Sequence, residues 1–314
     1  MTPNNAAKCL LKDFELNLSP EIRVTGKYIT PPRTPLTSQN VPLLVGLHGG
    51  TLTSSYYDVD PDYSAAKFAT AFGIPFVAVD RPCYGGTTSI LPLEEGESFF
   101  QKTAKRLHED ILPAIWQKFG IPNGCTAVVT LNHSMAVPDA VVTASMHAKT
   151  GEQLYPLRGM ILSGWGSQLA NPEEMRRPPG APLPTQIEYP PSTKKKLMLS
   201  ADHFNAHDPE IEKYLQPLSV PMPVEETLDL FIHWPKYGTD CAAEVVIPIM
   251  YALGEHDFLW VANKTTIDAF GATFVKCPRF DGNLVLGAPH ALEWSKARTG
   301  WYARCFSWAM EICS

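Results

Sequence analysis

The chain has 314 residues and a mass of 34.7 kDa, which is enough for one large domain or two ordinary ones. Hydrophobic residues make up 45% and charged residues 18%, a globular composition that excludes a disordered or fibrous chain. The formal net charge of −6 argues against a nucleic-acid partner. The longest apolar runs, such as 41–47, fall far short of the roughly 20 residues that a membrane span requires.

The N-terminal residues and the cysteines bear on the compartment of the protein. The first residues contain no charged segment followed by an apolar run, the pattern that marks a secretory signal. The seven cysteines are odd in number and include no C-x-x-C pair, which fits a reducing compartment better than a disulfide framework. We therefore expect a cytoplasmic protein with a small-molecule partner and with no membrane, nucleic acid, metal or cofactor. The sequence leaves its oligomeric state open.

Several stretches of the first half have the pattern of β-strands. The first two, 13–18 and 21–29, are separated by a Ser-Pro turn signal. In the second, Ile22, Val24 and Tyr28 are spaced by even numbers of residues and would lie on one face of a strand, as a half-buried strand requires. Short, wholly apolar runs then predict strands that are covered on both faces, at 43–47, 75–79, 126–131 and 160–163.

Apolar residues at helical spacing predict helices between these strands, at 64–72, 98–119 and 140–148. The second of them contains Pro113, which should kink or interrupt it because proline lacks a backbone donor. Strands that alternate with helices in this way indicate an α/β fold with a mainly parallel sheet and helices on both faces.

The alternation stops between about 166 and 244, where more than a third of the 29 prolines fall. Proline removes backbone donors from both sheets and helices, so regular strand–helix units cannot continue here. We expect a cap at 166–243, with short helices near 208–215 and 224–231, inserted into a core formed by 1–165 and 244–314. The core pattern resumes with predicted strands and helices at 245–253, 261–270, 273–277 and 292–312.

A glycine pair follows the predicted strand 43–47, in the sequence Leu47-His48-Gly49-Gly50. Adjacent glycines let backbone N–H groups approach a substrate closely, as an oxyanion-binding site requires. A glycine turn after a strand is also common without any catalytic role.

A second candidate motif, Asn132-His133-Ser134-Met135-Ala136, stands between a buried strand and a helix. A sharp turn at this position holds a serine out at the sheet edge and aims the N–H groups of the helix at developing negative charge. The expected G-x-S-x-G pattern has lost both glycines. Asn132 is the more serious change, although asparagine tolerates unusual backbone angles better than most residues.

Two further motifs follow predicted strands near the C-terminus. Asp257 lies in a loop after the strand 245–253 and could orient a histidine, with Glu255 as the competing carboxylate and Asp257 favoured by its position relative to Gly254. His290 comes just after the last strand, from which it could reach both a serine and an acid.

The chain order Ser134, Asp257, His290 is the nucleophile–acid–base order of one fold. With these motifs, nearly the whole chain resembles the α/β-hydrolase superfamily. The run Asp80-Arg-Pro-Cys-Tyr-Gly85-Gly86-Thr is similar to the family's D-R-P-G-Y-G-x-S turn, with Cys83 where glycine is usual. More loosely, Pro289-His-Ala-Leu-Glu293 and the final tryptophan-rich helix resemble esterases from fungal natural-product pathways.

The resemblance implies the α/β-hydrolase fold, with the cap between the sixth and seventh strands, where the family's lid lies. It makes Ser134 the nucleophile, His290 the general base and then acid, and Asp257 the partner that orients His290. The oxyanion hole would be the backbone N–H groups of Gly50 and Met135. A serine at the elbow argues against haloalkane dehalogenases and most epoxide hydrolases, which have an aspartate nucleophile there.

Five other residues are candidates for contact with a substrate, and core packing explains their positions almost as well: Gly49, Tyr56, His133, Trp165 and Trp234. His203 and His207 are spaced by four residues and could hold a metal on one helical face, but they lack an H-E-x-x-H glutamate, so we expect none. The run Lys194-Lys195-Lys196 is interpreted as a solvated face.

The sequence favours a serine hydrolase that cleaves an ester, lactone or thioester of a small, largely apolar molecule. Asn132 keeps open a second class, a hydrolase-like scaffold that binds, isomerises or cyclises a ligand without an acyl-enzyme. A third option uses the same triad for acyl transfer or for hydrolysis of a C–C bond. The triad alone cannot separate these, because they differ in what the cap admits.

Overall fold

A computed structural model describes residues 9–37, 39–151, 153–175, 182–200 and 206–314. Its centre is an eight-stranded sheet in the order β1-β2-β4-β3-β5-β6-β9-β10. The strands are β1 Lys12–Ser19, β2 Ile22–Ile29, β3 Pro42–Leu47, β4 Phe76–Val79, β5 Ala127–His133, β6 Leu157–Ser163, β9 Ile249–Gly254 and β10 Phe280–Val285. Two short strands, β7 Gln186–Ile187 and β8 Met222–Pro223, pair only with each other. The pairs β1–β2 and β2–β4 are antiparallel and the rest of the main sheet is parallel, which confirms the prediction of a mainly parallel sheet.

Helices cover both faces of this sheet. The α-helices of the described residues are α1 Ala65–Phe72, α2 Phe99–Arg106, α3 Leu112–Ile115, α4 Ala136–Lys149, α5 Pro191–Leu199, α6 Val224–Leu228, α7 Trp234–Ala243, α8 Lys264–Gly271 and α9 Arg298–Glu311. Alternate residues of β3 enter different hydrophobic clusters: Leu43 and Val45 pack in the cluster that includes α2 and α4, and Leu44 packs in the one that includes α1 and α9. This alternation explains why β3 is apolar throughout.

Pro113, where the sequence predicts a kink or an interruption, lies in a helix that changes from α to π geometry on either side of it. From α2 to α3 the chain passes through a π-helical turn at Leu107–Ile111, closed by the Leu112 N–H donating to Leu107 O, and a second π-helical turn follows at Trp116–Gly120. A π-turn shifts the hydrogen-bonding register, which accommodates a proline that cannot donate. The helix therefore continues to Gly120 without a break.

The last strand is not where the sequence predicts it. Residues 273–277 form turns, in which Phe274 is buried and Val275 is 76% exposed, and the strand is Phe280–Val285. This edge strand contains Asp281, Gly282 and Asn283, which rarely favour strands, and it is held by its parallel pairing with β9. Tertiary pairing outweighs local propensity here.

The segment 166–243 contributes no strand to the main sheet in the parts of it that are described, 166–175, 182–200 and 206–243. It contains β7, β8 and the helices α5, α6 and α7, together with a 3₁₀-helix at Pro209–Tyr214 and a π-helical turn at Asp229–His233. It leaves the sheet after β6, the sixth strand of the sheet in chain order, and returns at β9, the seventh. None of the helices within the described ranges is long and apolar enough to cross a membrane.

Candidate active site

Ser134 stands on a sharp turn between β5 and α4. Its φ of +55° lies in the left-handed region, which a non-glycine residue adopts only under tertiary constraint. Two backbone hydrogen bonds supply that constraint: Ser134 N–H donates to Ser163 O at 2.8 Å, and Val137 N–H donates to Ser134 O at 2.8 Å. A Cβ on Gly49 would lie 2.9 Å from Ser134 Cβ, so only glycine lets the neighbouring loop come this close.

Asn132, which replaces the first glycine of the elbow, belongs to β5 and is fully buried. Its Nδ2 donates to Thr130 Oγ1 at 2.9 Å and to Ile161 O at 3.0 Å. The side chain is thus fixed by the sheet, and the left-handed backbone angle is that of Ser134 and not of Asn132. The turn forms without the glycine.

His290 lies between Ser134 and a carboxylate. His290 Nε2 is 3.0 Å from Ser134 Oγ, and His290 Nδ1 is 2.8 Å from Asp257 Oδ2. The histidine is 1% exposed and the Asp257 side chain is fully buried, so solvent does not screen the interaction between them. Geometry of this kind keeps the proton on Nδ1 and leaves Nε2 to accept one from the serine.

The two candidate acids have different surroundings. The second oxygen of Asp257 accepts the N–H groups of Leu259 at 2.8 Å and Trp260 at 3.2 Å, which fix its carboxylate toward His290. Glu255 is exposed and accepts the N–H of Gly287 at 2.8 Å. Asp257, and not Glu255, is therefore the carboxylate beside the histidine.

Gly50 and Met135, the predicted oxyanion-hole residues, are neighbours at the same edge of the sheet. A Cβ built on Gly50 would lie 3.1 Å from Met135 Cγ and 2.5 Å from Met222 Sδ, so a side chain there would collide with the elbow and with β8. Both residues border the cavity that contains Ser134 and His290.

The cavity beside Ser134 is small, about 70 Å³, and mostly apolar. Apart from Gly50, Thr51, Ser134 and His290, its described lining is Met135, Trp165, Leu169, Met175, Tyr189, Lys194, Leu197, Met198, Met222, Thr227, Leu230, Phe231, Leu259 and Trp260. Ten of these, from Leu169 to Phe231, belong to the segment 166–243. Met175, Tyr189, Leu197, Thr227 and Phe231 also line a wider cleft of about 820 Å³. The site is therefore a narrow apolar chamber that adjoins a broader cleft.

The five predicted substrate contacts are not all at this chamber. Trp165 lines it, whereas Trp234 lines a neighbouring cavity, into which Trp165 also faces. Gly49 lies against Ser134 Cβ rather than at the lining. Tyr56 and His133 lie behind the triad: both are fully buried, their rings stack at 4.8 Å, and Tyr56 OH donates to Glu293 Oε2 at 2.5 Å. Gly49, Tyr56, His133 and Trp234 are thus placed for packing rather than for contact in this chamber.

His133 also affects the electrostatics of the triad. Its ring centroid is 4.9 Å from that of His290, and its Nδ1 is 3.2 Å from Ser163 Oγ. Burial, with a smaller contribution from His290, lowers the pKa of His133 well below its usual value. His133 is therefore a neutral neighbour that does not compete for the proton His290 would take.

A buried ion cluster that the sequence does not predict lies next to the glycine loop. Arg81, fully buried, lies 2.8 Å from Asp139 Oδ2 and 2.7 Å from Glu226 Oε1, and its Nε donates to His48 O at 2.7 Å. Tyr84 OH also donates to Glu226. Burial works to lower the pKa of Arg81, but the two carboxylates outweigh it and raise that pKa. The cluster joins the glycine loop, the elbow helix α4 and α6.

The lysine run is only partly a solvated face, which corrects the sequence interpretation. Lys195 and Lys196 form surface ion pairs with Glu212 and Glu174, at 2.8 and 2.7 Å. Lys194 is 1% exposed, and its Nζ donates to Thr51 O at 2.9 Å inside the chamber. The signal for this was its spacing from Leu197 and Met198, which places all three on one face of α5.

The predicted histidine pair lies partly outside the described residues, because His203 is not among them. His207 Nε2 is 3.0 Å from Glu212 Oε1. No group of three or more potential metal ligands occurs among the residues whose positions are described.

Comparisons with known proteins address the fold. The sequence matches no protein-family model and no curated protein sequence. Solved structures do match: E-2-(acetamidomethylene)succinate hydrolase is 10% identical, with a TM-score of 0.59 over 96% of this chain and 99% of that one. A bromoperoxidase from Bacillus anthracis is 14% identical, with a TM-score of 0.60 over 96% and 99%. Est1E from Butyrivibrio proteoclasticus, solved with ferulic acid, is 11% identical, with a TM-score of 0.58 over 95% and 98%. The protein therefore has the α/β-hydrolase fold, as the order of the motifs in its sequence indicates.

Proposed function

We propose that the protein is a serine hydrolase that cleaves an ester, lactone or thioester of a small, largely apolar molecule through an acyl-enzyme on Ser134. The observation that carries the proposal is the line of hydrogen-bonding distances from Ser134 Oγ to His290 Nε2 and from His290 Nδ1 to Asp257, beside an apolar chamber. The matched structures include hydrolases and a thioesterase domain, which is consistent with this class of chemistry.

In the proposed mechanism, His290 Nε2 takes the hydroxyl proton as Ser134 Oγ attacks the substrate carbonyl. The backbone N–H groups of Gly50 and Met135 stabilise the oxyanion, and Asp257 stabilises the imidazolium. His290 then gives its proton to the leaving group, which departs and leaves an acyl-serine. Water activated by His290 attacks this ester, and the acid is released with Ser134 restored.

We further propose that the segment 166–243 acts as the cap of the site. Ten of the described residues that line the chamber belong to it. The apolar side chains among them, such as Leu169, Leu197 and Phe231, favour an apolar substrate over a sugar or a peptide.

Labelling with a fluorophosphonate tests the nucleophile directly. The wild-type protein is expected to be labelled, and Ser134→Ala to be unlabelled while it keeps its far-UV circular dichroism. Ser167→Ala, which changes an exposed serine at the neighbouring cavity lined by Trp234, serves as a matched control that should label like the wild type. Equal labelling of Ser134→Ala, or a folded wild type that reacts with neither a large nor a small phosphonate, would refute an activated serine at the elbow.

A further inference from the structure

One ammonium group, that of Lys194, lies in the otherwise apolar chamber beside Ser134. Lys194 is 1% exposed, and one of its three N–H donors is used by Thr51 O at 2.9 Å. Within the described ranges no carboxylate forms an ion pair with it, in contrast to the neighbouring Lys195 and Lys196. A buried cation thus faces the chamber with donors to spare.

Such a cation is costly unless a ligand compensates for it. Burial alone lowers the pKa of Lys194 to about 7, from its ordinary 10.5, because the charged form loses its hydration. Packing does not require an ammonium here, since a methionine of similar length would fill the same space without the charge. A buried, strongly shifted group that lines a cleft is a candidate for a functional role.

Resting on the proposed function, we propose that Lys194 is a specificity-determining residue that binds a carboxylate carried by the substrate. The substrate class is then an ester, lactone or thioester of a small apolar molecule that also bears an acidic group. Thr51 directly follows Gly50, so the ammonium lies next to the loop proposed to bind the oxyanion. A charge-assisted hydrogen bond in a desolvated chamber would orient the acid and thereby the scissile carbonyl.

The contact with Thr51 can be given up at little cost. Thr51 O also accepts the N–H of Val220, at 3.1 Å, so this carbonyl stays hydrogen-bonded when Lys194 turns to a ligand. Tryptophan and leucine side chains that also line the chamber, among them Trp165 and Leu259, would cover the apolar part of the molecule.

Matched ester pairs test the proposal. One series consists of monomethyl esters of the straight-chain dicarboxylic acids from succinate to suberate, each paired with the methyl ester of the monocarboxylic acid of similar length. The other pairs butyryl esters of 4-hydroxybenzoate and 4-hydroxybenzamide, so that the acid lies on the leaving group. We expect kcat/KM to favour the acidic member in one series. Lys194→Met should lower the ratio of kcat/KM for the acidic over the neutral ester by about 10- to 100-fold.

The control variant is Lys195→Met, which removes a surface lysine one residue away and should keep the preference for the acid. Overturning outcomes are an absence of preference in the wild type, and an equal loss on acidic and neutral esters in Lys194→Met. The second would mean that Lys194 only supports the loop of Thr51.

A binding measurement separates this proposal from the proposed function. Ser134→Ala is titrated by calorimetry with the same acidic and neutral esters, with and without Lys194→Met. Binding that is selective for the acid and is abolished by Lys194→Met supports the assignment of Lys194, whether or not the wild type hydrolyses the esters. A wild type that hydrolyses none of them would refute the proposed hydrolase, but not this assignment. Equal affinity for acidic and neutral esters would overturn the assignment even if hydrolysis is confirmed.

Discussion

At the scale of single residues, the buried charge of Lys194 destabilises the folded protein. A pKa of about 7 against 10.5 means that holding the charged form in the folded protein costs about 5 kcal/mol. The folded-state pKa is the lower one, so this cost is fully present below pH 7 and disappears as the pH rises to 10.5. A neutral side chain of the same length avoids the cost altogether.

Lys194→Met should therefore raise the free energy of unfolding at pH 6 by about 1 to 3 kcal/mol, less than the full cost because the hydrogen bond to Thr51 is lost. Urea unfolding at pH 6 measures the difference. Lys195→Met, which breaks a surface ion pair, should change the same quantity by less than about 1 kcal/mol. A Lys194→Met protein that is less stable than the wild type at pH 6 would show that the ammonium is compensated in the folded state.

The same pKa predicts how the preference for acidic substrates depends on pH. As the pH rises above about 7, Lys194 loses its proton, and the ratio of kcat/KM for acidic over neutral esters should fall. Among the residues that the structure describes, His290 and Tyr189 are the other ionisable side chains of the chamber apart from Ser134. His290 acts on both esters and cancels in the ratio, and burial raises the pKa of Tyr189, which stays neutral. In Lys194→Met the ratio should not vary with pH; a ratio that still falls would assign the effect to another group.

The two candidate acids, Asp257 and Glu255, can be distinguished by substitution with the isosteric amides. Asp257→Asn should lower kcat by about 10⁴-fold, because an amide donates to His290 Nδ1 and forces the wrong tautomer. Glu255→Gln should change kcat by less than about threefold, since Glu255 is exposed and contacts the Gly287 N–H. Steady-state kinetics on one neutral ester compare the two, and the reverse order would assign the acid to Glu255.

At the scale of elements, the buried ion cluster fixes α6 to the core. Glu226 on α6 faces Arg81, which also contacts Asp139 on α4. Removing one partner of a buried pair costs about 3 to 5 kcal/mol because it leaves the other charge uncompensated. Because Asp139 still compensates for part of the charge of Arg81, Glu226→Gln should lower the free energy of unfolding by about 3 kcal/mol, the lower end of this range.

Chemical denaturation of Glu226→Gln measures this loss. The control is Glu210→Gln, which removes an exposed ion pair with Lys213 and should cost at most about 0.5 kcal/mol. A loss for Glu226→Gln no greater than that of the control would mean that the cluster does not hold α6 in place.

The elements differ in how well the sequence predicts them. The strands β3, β4 and β5 follow directly from their apolar runs, because a central parallel strand is buried on both faces. The strand β10 and the helix α5 do not, because the first is held by pairing with β9 and the second has polar residues over most of its surface. Elements whose own residues must be buried are predictable, and those stabilised mainly by a neighbour are not.

At the scale of the whole molecule, the candidate triad could be predicted from the sequence, whereas the residues around it could not. Ser134, Asp257 and His290 each follow a strand of a parallel sheet, and the fold brings such positions to one edge. Lys194 and Glu226 belong to the segment 166–243. No hydrophobic periodicity in this segment predicts how it folds over the site. Their partners Thr51 and Arg81 lie more than 100 positions away in the sequence, so only the folded structure shows these contacts.

The segment 166–243 is tied to the core at several separate places. Besides the contacts of Lys194 and Glu226, Asp229 accepts Ser98 Oγ–H at 2.5 Å and Phe100 N–H at 2.8 Å, at the start of α2. Because these side chains are buried, separating the segment from the core would leave several charged groups unpaired.

The segment and the core should therefore unfold together, in one cooperative transition. Trp234 is the only tryptophan of 166–243 among the seven in the chain, so the fluorescence difference between the wild type and Trp234→Phe reports on the place where the segment packs against Trp165 of the core. Its urea transition should coincide with that of the far-UV circular dichroism, which reports on the whole chain. Glu226→Gln should move both transitions to lower urea by the same amount, because the loss of one buried contact weakens the common folded state. A fluorescence transition that precedes the loss of circular dichroism would instead show a segment that opens independently, and the chamber beside Ser134 would then be accessible without global unfolding.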